Sequence, residues 1–143
     1  MMTRRVTWFV AVIVLSLPLL GCGKSGEKKV AAVPPAKLEP TSEAGIRRIV
    51  LSDHAAKRLG IEVGQVSAAE GKLLVPYSAL LYDTAGAEWV YINPEGKVFR
   101  RAQVKVDRIE GDKMYLLTGP DAGTKVVTVG AAELYGTEFE VGH

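Results

Sequence analysis

With 143 residues the chain has room for one domain. Its formal net charge is +2, but Arg4 and Arg5 fall in a leader, and beyond it 16 basic side chains face 16 acidic ones. The basic residues form no run longer than pairs such as Lys28-Lys29, Arg47-Arg48 and Arg100-Arg101, so no basic face for nucleic acid is expected. A single cysteine excludes an intramolecular disulfide and any multi-cysteine metal site.

Residues 1–21 read as a secretory signal. Arg4 and Arg5 precede Val6–Leu20, which is apolar apart from Thr7, Ser16 and Pro18. A spanning helix needs ~20 apolar residues, and this run is shorter and ends at a small residue, as signals do. Leu19-Leu20-Gly21-Cys22 resembles a bacterial lipobox. That resemblance implies cleavage before Cys22 and acylation of its thiol and new amine. A cysteine just beyond a signal's apolar core emerges at the bilayer surface, where several acyl chains anchor stably. The expected location is the bacterial envelope, with the domain held in the periplasm and the lipid bilayer as a partner through acylated Cys22. Gly23 is not the aspartate that retains lipoproteins at the inner membrane in enteric-type sorting, so either membrane fits.

Residues 22–45 are expected to be the lipidated cysteine and a flexible linker. Gly23–Gly45 has three prolines, four lysines and three glutamates, with no aromatic residue. Such a segment buries too little apolar surface to offset its chain entropy. As a coil its ends would lie roughly 25 Å apart.

The folded domain is expected over 46–143. Ile46–Leu51 leans to strand. Ser52 is a good N-cap with Asp53 behind it, and Gly60 suits the left-handed end of a short helix. Leu51, Ala55 and Leu59 form a narrow apolar stripe. Ile61–Val66 alternates apolar and polar residues, the period of a half-buried strand, and Ser67–Gly71 reads as a polar loop. His54 and His143 have no partner at ligand spacing, and no metal or cofactor is expected.

The second half reads as short strands between turns. Leu74-Val75 ends at Pro76, and Ala79–Tyr82 resumes an extended run. Glu88–Ile92 places Trp89 and Tyr91 on one face and Val90 and Ile92 on the other. Asn93-Pro94-Glu95-Gly96 has the chemistry of a tight turn. In Lys97–Val106, Arg100 interrupts the apolar face, which predicts a bulge or an edge. Met114–Leu117 is a strand, and Lys125–Val129 reads as a strand buried on both faces. Ala131–Tyr135 fits one helical turn and Thr137–Val141 a last strand. The expected fold is mainly β: a small roll or barrel-like domain with one short helix. Ile61–Val66 should pair with strands of the second half, so that Ile46–His143 folds alone.

No residue set prepares an active site. Gly119–Gly123 lacks the Gly-Lys-Ser/Thr ending of a phosphate loop. Ser52, Ser67 and Ser78 lack a nucleophile elbow and a histidine nearby in sequence, and Asp83 and Glu88 flank a turn. The expectation is a protein that is not an enzyme. Core or cross-strand packing is the expected use of Trp89, Tyr91 and Phe99, with an aromatic platform for a ligand or partner as the alternative.

Three stretches resemble the periplasmic adaptor, or membrane fusion protein, family of resistance–nodulation–division efflux pumps. Leu51–Val66, LSDHAAKRLGIEVGQV, is similar to the segment near the mature start of heavy-metal-type adaptors. Val75–Ile92, VPYSALLYDTAGAEWVYI, resembles the segment leading into the membrane-proximal domain. Arg101–Tyr135, with GPDAGTKVVTVGAAELYG, resembles the end of that domain. In full adaptors a lipoyl-like domain, an α-helical hairpin and most of a β-barrel separate the first two stretches; here only Ser67–Leu74 does. The resemblance implies a stripped adaptor keeping mainly the membrane-proximal domain. It would dock on an inner-membrane efflux transporter or a full-length adaptor in transmembrane transport. The alternative is an independent periplasmic lipoprotein that binds a small ligand or metal.

Overall fold

The computed structural model describes residues 34–141. Within them eleven strands form two antiparallel sheets, with two short α-helices. The strands are β1 (Ala36–Pro40), β2 (Arg47–Leu51), β3 (Glu62–Gln65), β4 (Ser67–Ala69), β5 (Lys72–Pro76), β6 (Leu81–Tyr82), β7 (Glu88–Glu95), β8 (Val98–Gln103), β9 (Lys105–Glu110), β10 (Lys113–Thr118) and β11 (Lys125–Val129). The helices are α1 (Asp53–Leu59) and α2 (Ala131–Glu138). The large sheet runs β1-β2-β8-β7-β11-β3, and β6 shares an edge of β7 with β11. The small sheet runs β4-β5-β10-β9. The fold is mainly β, as the strand-and-turn spacing predicts.

The alternation in β7 sets the architecture. Val90 and Ile92 enter a core between the two sheets, with Val75, Met114, Leu116 and Val126. Tyr91 faces the opposite side and enters a core beneath the helices, with Ile49, Phe99, Val127 and Leu134. Adjacent Val126 and Val127 of β11 are both fully buried, one in each core. The result is three layers: small sheet, large sheet and helices. The chain crosses from the large sheet to the small one at two buried valines. Val66 does so between β3 and β4, its N–H bonded to Thr124 O at 2.9 Å. Val104 does so between β8 and β9, its N–H bonded to Glu88 O at 3.0 Å.

The first helix forms as its sequence predicts. The Ser52 side chain accepts from the Ala55 N–H at 3.2 Å, and Gly60 closes the helix at φ 59°. Leu51 and Ala55 are buried and Leu59 packs beside them. β3 pairs with β11 over Gln65↔Lys125 to Glu62↔Val129, the long-range pairing expected of Ile61–Val66. Its alternation does not translate into burial throughout, since Val63 remains 45% exposed at the sheet edge.

Several expectations are corrected. The linker does not extend to Gly45, because Ala36–Pro40 pairs with Arg47–Leu51 at five positions. Ala36 and Leu38 point toward the helix-side core, and the Thr41 hydroxyl ties the connecting loop by donating to Ile46 O at 2.8 Å. Pro34-Pro35 precede this strand and Pro40 is its last residue, positions that an edge strand tolerates. Ser67–Gly71 is not a loop but the start of a hairpin, β4 with β5. Glu70 and Gly71 both have positive φ, as a two-residue I′ turn requires.

Asn93-Pro94 continues β7, and the turn falls at Gly96-Lys97. The Asn93 side-chain amide donates to the carbonyls of Gly96 and Val98, both at 2.9 Å, and so bridges the hairpin from inside. Arg100 is not at an edge: it pairs with Ile92 on one side and Arg48 on the other, and its guanidinium reaches Glu43 at 3.0 Å. The β7–β8 ladder does shift register directly beside it, between Ile92 and Glu95, the irregularity that the interrupted apolar face predicts. There are two helices rather than one, and α2 runs through Glu138 where a final strand over Thr137–Val141 is expected. His54 is exposed on α1. Cys22 and His143 lie outside the described residues.

Candidate functional site

Polar side chains converge at only one place in the interior of the described domain. Arg101 of β8 and Glu138 of α2 are 4% and 1% exposed. Arg101 Nε donates to Glu138 Oε2 at 2.8 Å, and Arg101 Nη2 donates to Gly45 O at 2.9 Å. Glu138 also accepts from the Tyr91 hydroxyl at 2.5 Å and from the Arg47 backbone N–H at 3.1 Å. The guanidinium carbon lies over the rings of Trp89, Phe139 and Tyr135, at 4.5, 4.8 and 5.8 Å from their centroids. Such an arrangement favours a delocalised cation. No buried side-chain nitrogen or oxygen among the described residues lacks a partner, so the buried pair meets the condition under which its desolvation can be offset.

This cluster fastens parts of the domain together. Burial pushes the Tyr91 phenol far above its ordinary pKa, and the Glu138 carboxylate beside it pushes the same way. The phenol therefore keeps its proton and serves only as a donor. Its three donors come from β2, β7 and β8, so Glu138 ties the end of α2 to three strands, and Arg101 in turn reaches the Gly45 turn.

The proposed aromatic platform is dispersed by the same geometry. Tyr91 and Phe99 are buried in the helix-side core. Trp89 is half-buried over Arg101, and its indole donates to Asp83 Oδ2 at 2.9 Å. Asp83 also accepts from the Ala85 and Ala87 N–H groups at 2.9 Å each. The Ala87 N–H and then the Trp89 indole hold its carboxyl below the usual carboxylate range. Asp83 is thus the organiser of the β6–β7 turn, and Glu88 accepts from the Val106 N–H at 2.8 Å.

What the domain offers to solvent is a groove of about 890 Å³ on the helix side. Its floor is apolar: Ala36 and Leu38 of β1, Leu51 at the end of β2, and Ala55 and Leu59 of α1. The two helices bound it with opposite charge. Arg58 on α1 is exposed and has no ion-pair partner among the described residues, while α2 contributes Glu133 and the segment just after it Glu140. Arg47 lies between, with Nη1 3.4 Å from Glu140. Gly136 sits in the α2 wall, where an added Cβ would meet only Val141, at 3.6 Å. Pro35, from which the chain leads back toward Cys22, stands at the mouth.

Sequence reading missed both features. The groove is where two short helices stop short of covering β1, and β1 itself was hidden among prolines. Among the described residues no group of three His, Cys, Asp or Glu is placed to hold a metal, and no helix is long and apolar enough to cross a membrane. Compared with protein-family models, curated proteins and solved structures, the chain has no match.

Proposed function

We propose that this chain is a lipid-anchored, non-enzymatic docking domain of the bacterial envelope. It resembles a stripped periplasmic adaptor and binds an inner-membrane efflux transporter or a full-length adaptor. The observation that carries the reading is the open apolar groove at the point where the chain leads toward Cys22. An anchor there would hold the groove within about a linker's length of the bilayer. The polar cluster adds support, because every group in it is engaged in holding α2 and none is free for chemistry. The small-ligand alternative relied on an aromatic platform whose members are now accounted for in packing.

Affinity purification from detergent-solubilised membranes tests the partner. A transporter or adaptor should co-purify with the wild-type chain. Recovery of neither overturns the docking reading. Cys22→Ser tests the anchor: the variant should leave the membrane fraction once its signal is cleaved, and persistent pelleting with membranes overturns lipidation.

A further inference from the structure

From the charge pattern of the groove we infer that its occupant is an amphipathic helix of a partner protein, with an acidic flank along α1 and a basic flank along α2. The inference names the occupant of the docking site proposed above and rests on that reading. Three chemistries could fill an apolar trough of this kind. An anionic lipid would meet Glu133 and Glu140, while Lys37 is already paired with Glu39 and Arg47 with Glu140, which leaves only Arg58 to hold its headgroup. An extended peptide would have to add to the outer edge of β1, which is five residues long, ends at Pro40 and follows Pro34-Pro35. Edges so short and bounded by proline resist strand addition.

A helix fits what remains. Its apolar stripe at i, i+3, i+4 and i+7 would meet Leu38, Leu51 and Leu59. The eight-residue α2 wall is about 12 Å long, matching roughly two turns of a docked helix. Arg58 is available to a carboxylate on one flank and Glu133 to a lysine or arginine on the other. The polarity also sets direction. Turning a helix end for end keeps its apolar face down but exchanges its flanks, so a helix with flanks of opposite sign has one favoured orientation.

The test is a display library of 14-residue helices with a fixed apolar stripe and randomised flanks. It is selected on the full chain in nanodiscs and counter-selected on empty nanodiscs. Enrichment of peptides with one acidic and one basic flank is expected. Arg58→Glu or Glu133→Lys, both exposed positions, should each weaken the selected peptide by about fivefold, the size of an exposed pair. The Arg58→Glu/Glu133→Lys double variant should recover most of that loss, with the peptide reversed as reported by a spin label at its N-terminus. Enrichment of single-sign flanks or proline-containing extended sequences overturns the inference, as does no enrichment over empty discs. Failure of the selection while a transporter or adaptor still co-purifies overturns the helix alone. Enrichment without co-purification supports the helix and overturns the transporter or adaptor as its source.

Discussion

The two faces of the large sheet are finished in different ways. Toward the small sheet the core is apolar throughout, with Val66, Val75, Val90, Val104 and Val126 packed around Met114 and Leu116, and it is closed where the chain turns at Val66 and Val104. Toward the helices the core contains Ile49, Phe99, Val127 and Leu134, but also the buried set Arg101, Glu138 and Tyr91 beside it, and it leaves a groove open. The difference follows from what covers each face. A four-stranded sheet supplies apolar side chains at every second position. Two helices of seven and eight residues cannot. α2 buries only Ala131, Leu134 and Glu138. Two apolar contacts fix a short helix weakly, and the third, made by a carboxylate with three donors, sets where the helix ends. Geometry of this kind favours one placement over others even where its net stabilisation is small.

The largest way to break the comparison is to remove the elements on which the helix side is built. A fragment beginning at Leu74 loses β1, β2, α1, β3 and β4, keeping α2 without the strands and helix beside it. It should show no cooperative melt, whereas a fragment beginning at Pro34 should melt cooperatively. One beginning at Ile46 should be less stable than that from Pro34, because β2 loses β1 and becomes an edge. Equal melting points for all three would mean that the helix side contributes nothing to folding.

Smaller but sharper is the polar cluster. Glu138→Ala leaves the Arg101 guanidinium and the Tyr91 hydroxyl buried without their acceptor, which costs about 3–5 kcal/mol by analogy with broken buried pairs. The double variant Arg101→Met/Glu138→Leu should recover much of that loss in denaturant unfolding. It should also show faster hydrogen exchange in α2 than wild type, since an apolar replacement fixes the helix less specifically. A double variant as unstable as the single would show that the aromatic rings require the cation.

The smallest effect lies on the far side. Lys72 donates to Asp107 at 2.5 Å across the outer face of the small sheet, and this bond holds the Asp107 carboxyl below its ordinary value of 3.8. The ionised form is the stabilising one, so its contribution is complete above the unfolded value. It fades as pH falls through the lowered folded value, on the acid side of 3.8. Lys72→Met should therefore slightly flatten the pH dependence of the melting temperature below about pH 4, mainly at low salt. An unchanged profile would mean that solvent screens the pair completely.

What was legible in the sequence was local. The β7 alternation, the Ser52 and Gly60 caps, the Leu51/Ala55/Leu59 stripe and the doubly buried β11 each follow from a few consecutive residues. β1 was not legible, because its identity depends on pairing with β2 across the Thr41–Ile46 loop rather than on its own composition. The Glu70-Gly71 turn was missed because glutamate rarely takes positive φ. Arg101 and Glu138 are 37 positions apart, and nothing in either neighbourhood marks a charged residue as buried. Arg100, its neighbour, looked like the disturbance in the strand, yet it points to Glu43 at the surface while Arg101 turns inward. The groove could not be read at all, since it consists of what two short helices fail to cover.

The central claim is that the helix side is the docking face and the small sheet is the structural one. A photoreactive side chain placed at Arg58, on the groove, or at Lys113, on the small sheet, tests it in the membrane-bound chain. Both positions are exposed. The account predicts a crosslinked envelope protein from position 58, lost when Leu38→Asp is added, and none from position 113. Crosslinking from position 113 alone, or from 58 without dependence on Leu38, would contradict it.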